Sequence, residues 1–112
     1  MKHTLIAALL IFAIMANLRA TNPSSGEDLV IFTKFTNKAD SKISNANLKI
    51  YLYGSEDLIL SRNFNILRNS DSKFITLHDT SSLEPGEYIL RATANHKDIK
   101  QKTRHTMFVY GQ

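Results

Sequence analysis

"SSLEPGEYILRATANH", residues 81–96, decides the fold of this chain. A Pro85-Gly86 turn feeds a run in which apolar and polar residues alternate, the period of a half-buried strand rather than of a helix. The stretches on either side repeat the same pattern. Upstream, "LVIFTKF" from Leu29 is rich in β-branched and aromatic residues, and "NKADSKISNAN" after it has the Asn, Asp and Ser of a loop. "LKIYLY" alternates cleanly, with Leu48, Ile50 and Leu52 on one face and Lys49, Tyr51 and Tyr53 on the other, and "GSED" turns the chain. "LILSR" and "FNILR" read as a continuous or bulged pair of short strands, "NSDSK" as a turn, and "KFITLH" as a strand that reaches the corner "DTSSLEPG". Downstream of "EYILRATAN", the segment "HKDIKQKT" reads as a hairpin loop and "HTMFVYG" as the last strand.

About seven short strands with no helix to cover a sheet predict an all-β fold, an antiparallel β-sandwich over residues 29–112. A chain of 112 residues holds one such domain and little else. It contains no cysteine, so its core must hold the domain together without disulfides, and thiol catalysis and thiolate metal sites are excluded.

The N-terminus has a different composition. Lys2 and His3 precede "TLIAALLIFAIMA", a run of the size of a signal-peptide core and short for a bilayer span. Leu18 and Ala20 fit the pattern before a signal-peptidase site, which predicts a signal peptide at 1–20, cleavage after Ala20, and a flexible segment at 21–28 before the domain. The alternative is an uncleaved N-terminal anchor. With no retention signal in "VYGQ", an extracellular, secreted protein is expected, with no stable membrane span after cleavage. No N-glycosylation acceptor is present, because Pro23 blocks "NPS".

The corner before the long strand resembles one in a known fold class. "LEPGEYILRATA" is similar to the corner that precedes strand F of immunoglobulin-like domains, in its fibronectin type III version, with Leu83, Tyr88 and Leu90 at the apolar and tyrosine positions. Macroglobulin-type and bacterial immunoglobulin-like domains resemble it to the same degree. The resemblance implies an immunoglobulin-like sandwich in which the Tyr88 hydroxyl bonds back to nearby backbone. It implies no particular activity.

Catalytic patterns are missing: no HExxH pair, no Gly-rich phosphate loop and no G-x-S-x-G elbow occurs, so no enzyme, cofactor or metal is expected. His78 stands beside Asp79, while His96 and His105 flank the hairpin loop and could approach each other across its base, two ligands where a stable metal site needs more. Glu84, Glu87, Glu56 and Asp57 are turn residues. The formal charge of +4 falls to about +2 without Lys2 and Arg19. The remaining basic residues cluster as a basic loop, Lys97, Lys100, Lys102 and Arg104, able to attract phosphate, sulfated sugar or a membrane surface, yet no aromatic residue interleaves them as nucleic-acid binding would require.

The candidate site is aromatic. With Leu48, Ile50 and Leu52 inward, Tyr51 and Tyr53 point away from the core. In an immunoglobulin-like sandwich Arg91 and Thr93 join that outer face, together with either Phe108 and Tyr110 or Met107 and Val109. Taking Phe108 and Tyr110, the candidate residues are Tyr51, Tyr53, Arg91, Thr93, Phe108 and Tyr110, a composition suited to protein recognition and to sugar stacking. A strand edge beside the basic loop is a second route to a partner. Two functions follow as expectations: a secreted binding or adhesion module for a protein or glycan, or a structural spacer in a larger assembly.

Overall fold

The computed structural model describes residues 13–53, 57–96 and 99–111. Its strands are β1 (Ala13–Ala20), β2 (Leu29–Asn37), β3 (Ile43–Leu52), β4 (Asp57–Ile66), β5 (Ser70–His78), β6 (Gly86–His96) and β7 (Ile99–Tyr110). They form two antiparallel sheets, β1-β2-β5 and β4-β3-β6-β7. Alternation places one face of each sheet inward. Leu29, Ile31 and Phe35 of β2 meet Leu48 and Ile50 of β3, Leu90 and Ala92 of β6, and Phe108 of β7 in a single core. Phe35, Phe64 and Phe74 pack with ring centroids 4.5–6.0 Å apart on the β4–β5 side, where the Arg62 guanidinium lies 4.4 Å from the Phe74 centroid. The cysteine-free chain thus encloses its core between two layers, as its composition requires.

The structure extends the sandwich upstream of Leu29. Ala13–Ala20, read from sequence as the end of a leader, pairs with β2 from Ala13↔Asn37 to Ala20↔Ile31, with a register shift between Met15 and Asn17. Leu18 is buried in the core and Ala20 packs against it, while Asn17 and Arg19 face outward. An apolar run that feeds directly into the strand hides this alternation in the sequence. Residues 21–28 form a tied turn. Asn22 Oδ1 accepts the Val109 N–H at 2.8 Å, the Pro23 carbonyl accepts the Gly111 N–H at 3.0 Å, and the Gly26 N–H donates to the Tyr110 hydroxyl at 3.1 Å.

Two further boundaries differ from the sequence expectation. β3 begins at Ile43, inside the expected loop, and Asn45 takes a positive φ of 59° where the ladder skips from Ile43 to Ala46. The expected hairpin loop 96–103 is largely strand, because β6 runs to His96 and β7 starts opposite it at Ile99. Lys100, Lys102 and Arg104 therefore lie on β7, an edge strand, where lysine-rich sequence is common and pairing overrides weak strand propensity. Arg104 is exposed; Lys97 and the side chains of Lys100 and Lys102 lie outside the described residues.

The corner forms as the resemblance implies. The Tyr88 hydroxyl donates to the Glu84 carbonyl, and the Tyr88 ring stacks on Phe108 at 5.3 Å. Leu83 packs against the core, and its N–H bonds to the Thr80 carbonyl at 2.9 Å. The buried Thr80 hydroxyl donates to the Glu27 carbonyl at 2.7 Å, joining corner and N-terminal turn. Asp79 accepts from the Ser81 N–H and hydroxyl, which hold its carboxyl below the usual carboxylate range. Gly111 closes this end with φ 80°, and a Cβ there would come within 2.9 Å of the Pro85 Cβ. Gly111→Ala is therefore expected to destabilise the domain by about 1–3 kcal/mol, read as a lower urea midpoint with an unchanged slope.

Candidate functional site

Three neighbouring strands build the outer face of the four-stranded sheet. From β3 outward come Lys49 and Tyr51, followed by Tyr53 just past its end. From β6 come Arg91, Thr93 and Asn95, and from β7 Thr103 and His105. Register fixes their rows: Tyr51 opposes Arg91, which opposes His105, and Lys49 opposes Thr93, which opposes Thr103. Directly opposed side chains in adjacent strands stand close enough to touch.

The Arg91 guanidinium carbon lies 4.7 Å from the Tyr51 ring centroid and 5.8 Å from that of Tyr53. Both rings thus present their π-electrons to one cation. The Tyr53 ring meets His105 edge-on, with centroids 5.4 Å apart and an interplanar angle of 87°. The Tyr53 backbone is pinned by its N–H bond to the Ile89 carbonyl at 2.8 Å. Beside this cluster, Thr93 and Thr103 bring their hydroxyls to 3.4 Å. Two short side chains next to tyrosine, arginine and lysine leave a shallow concavity of about 550 Å³ with hydroxyl, imidazole and cationic groups on its walls. Aromatic faces for stacking and several hydrogen-bonding groups in one open basin suit a polar, flat-sided ligand.

Of the residues expected here, Tyr51, Tyr53, Arg91 and Thr93 share this face, as the alternation of "LKIYLY" and "EYILRATAN" predicts. Phe108 and Tyr110 do not: they are 1% and 4% exposed and belong to the core. The opposite parity holds on β7, because Phe108 opposes the inward Tyr88, while Met107, 59% exposed, opposes the outward Ile89. His96 and His105 do not meet, since His96 opposes Ile99 and His105 opposes Arg91. Lys49, Asn95, Thr103 and His105 complete the basin. The first two were legible from the strand period; the β7 pair needed the register.

The other sheet carries a second depression, about 340 Å³, beside Arg19, Phe32, Lys34, Lys73 and Ile75. The Arg19 guanidinium lies 5.5 Å from the Phe32 ring centroid. Ile75 and Leu77 are strongly exposed on β5, and Lys34 pairs with Asp71 at 3.5 Å across the ladder. The Thr36 hydroxyl, and then Lys34, lower the Asp71 pKa. Among the described residues, no group of three or more His, Asp or Glu side chains comes together as a metal cluster.

This arrangement defines an immunoglobulin-like β-sandwich. No protein-family model matches the chain, and no curated protein matches it. Solved structures do match. It is similar to the CARDB domain of the PF1109 protein from Pyrococcus furiosus, a structure in complex with di-metal ions, with a TM-score of 0.64 and 9% identity over 88% of this chain and 94% of that one. It is also similar to part of alkylpurine DNA glycosylase AlkC from Pseudomonas fluorescens, bound to DNA containing an abasic site analog (TM-score 0.55, 10% identity, 89% of this chain), and to part of a beta-glucosidase from Listeria innocua (TM-score 0.54, 11% identity, 86% of this chain). The chain spans 30% and 15% of the length of these last two. At such identities the likeness shows the fold alone.

Proposed function

We propose that this chain is an exported, non-enzymatic binding module that recognises a protein or a glycan through the outer face of β3, β6 and β7. The observation that carries the reading is the Arg91 cation set against the rings of Tyr51 and Tyr53 at the rim of an open, hydroxyl-lined basin. Tyrosine and arginine dominate binding energy at recognition surfaces because they offer large, stiff contact area with polar ends. Export is supported by the charge at Lys2 and the apolar run behind it. A non-catalytic role is supported by the shallow basin, which lacks the enclosed, water-excluding geometry that acid–base or nucleophilic chemistry uses.

The test is a binding screen against a glycan array and a panel of extracellular proteins, repeated with a Tyr51→Ser, Tyr53→Ser variant whose fold is verified by circular dichroism. A hit that the variant weakens by about thirtyfold or more supports the reading, the loss expected when an aromatic anchor is removed. Hits that the variant retains in full overturn it. A spacer role in a larger assembly is the second reading, favoured by the exposed Ile75 and Leu77 on the opposite sheet. Concentration-dependent association that Ile75→Lys abolishes would move that reading ahead.

A further inference from the structure

The outer face of the four-stranded sheet is graded from polar to apolar along its strands. Register places Asn63, Asn47 and Asn95 in one row across β4, β3 and β6, and the Asn47 Nδ2 donates to the Asn63 Oδ1 at 2.9 Å. The next row sets the Thr93 and Thr103 hydroxyls beside Lys49, and the third holds Tyr51, Arg91 and His105. Past these rows Ile89 and Met107 are exposed. Successive rows lie about 7 Å apart, because side chains on one face recur at every second residue.

The charge of the middle rows is one-sided. Lys49 and Arg91 bring two cations to the basin, and no carboxylate is among the described residues that line it. On β6 the acid of this face is Glu87, four residues from Arg91 and so about 14 Å along the strand. Lys49 opposes Thr93, which makes Arg91 its diagonal neighbour on the adjacent strand. Diagonal neighbours stand about 7–8 Å apart, a gap that two long side chains can close around one anion. A concavity with fixed charges of one sign concentrates ligands of the opposite sign and repels its own.

The uncharged groups narrow the class further. Hydroxyls and amides both donate and accept, which matches a ligand rich in hydroxyl groups. Thr93 lines the basin while only 5% exposed, so it forms the floor, and the Tyr53 ring, 49% exposed, stands beside it as a face for a flat ring to stack on. The rows that carry the cations thus offer hydroxyls and amides in place of the apolar, desolvated pocket in which the anchors of protein partners sit.

We propose that the basin takes an acidic glycan: a sugar ring stacks on Tyr53, sugar hydroxyls bond to Thr93, Thr103 and the asparagine row, and a sugar carboxylate is held between Lys49 and Arg91. The inference rests on the reading of this face as the binding surface and adds the charge and chemical class of its ligand.

The test titrates the isotope-labelled full chain, followed by NMR, with oligogalacturonide, a hyaluronan oligosaccharide and sialyllactose, each beside its carboxyl methyl ester, and with an oligoglutamate peptide. At least one acidic sugar should bind about tenfold more tightly than its own ester, with shifts centred on Lys49, Tyr53, Arg91, Thr93 and His105. Added salt should weaken the acid and spare the ester. Lys49→Gln should cut the preference for the acid by about fivefold, whereas Lys34→Gln, on the outer face of the other sheet, should leave it intact; circular dichroism checks both folds. Equal affinity for acid and ester, lost in Tyr51→Ser, Tyr53→Ser, overturns the acidic ligand and keeps the basin as a site for neutral sugars. A preference for the acid that survives both the tyrosine variant and Lys49→Gln puts the anion elsewhere and overturns the ligand class and the basin reading together. A response to oligoglutamate and to no sugar overturns the glycan in favour of an acidic protein segment. No response to any of these probes overturns the inference, and a neutral glycan or a protein that binds only with both tyrosines in place would leave the basin reading standing without it.

Discussion

A chain that begins at Thr21 is expected to lose cooperative folding. Such a chain lacks β1, which pairs along β2 from Asn37 to Ile31 and places Leu18 in the core. Burial of Leu18 alone contributes about 2–3 kcal/mol. The bared β2 edge loses the ladder on one side, next to the buried Ile31 and Phe35. Domains of this size have a total stability of about 5–15 kcal/mol, so the loss removes much of the margin. Thermal and urea melts of chains beginning at Met1 and at Thr21 check this. The shorter chain should show a shallow, non-cooperative transition, bind a hydrophobic dye and associate through its open edge. Matching midpoints would mean that β2, β5 and the four-stranded sheet suffice without β1. The result bears on export: a cut after Ala20 and a complete seven-stranded sandwich cannot both occur in one polypeptide unless another segment supplies the missing strand.

That ambiguity shows what the sequence could carry. Where one strand face is buried, the period of two is unmistakable, so "LKIYLY" and "EYILRATAN" revealed both the sandwich and the side on which Tyr51, Tyr53, Arg91 and Thr93 stand. The Pro85-Gly86 corner was legible for a similar local reason, since Leu83 and Tyr88 lie within a few residues of the turn they lock. The parity of β7 was not. "HTMFVY" alternates in size but is apolar on both faces, and only the pairing of Phe108 with Tyr88 decides that Phe108 and Tyr110 turn inward. The start of β7 was hidden because its lysines suit an edge strand as well as a loop. β1 was hidden because one stretch satisfies two patterns, a leader's apolar run and a strand's alternation, and nothing local separates them.

Asn37→Ala is expected to be among the most damaging single substitutions, costing about 2–4 kcal/mol. Asn37 is fully buried at the end of the inward row of β2, in which Leu29, Ile31 and Phe35 are apolar and Thr33 is the other polar member. Alanine would withdraw the partner of the Ala39 N–H and of three carbonyls at once, and each buried group left without a partner costs about 1–3 kcal/mol. A neighbour on the same strand supplies the contrast. Thr33 is 3% exposed, and its hydroxyl has no hydrogen-bond partner among the described residues. Thr33→Val keeps the shape and removes only a desolvated hydroxyl, so it should be neutral or slightly stabilising. Urea titrations of the two variants check the pair: a large fall in midpoint for Asn37→Ala beside no fall for Thr33→Val. Equal losses would mean that burial alone, rather than the hydrogen bonds of Asn37, sets the cost. Limited proteolysis adds the location, since loss of the Asn37 contacts should free the 38–42 loop for cleavage before the rest of the domain unfolds.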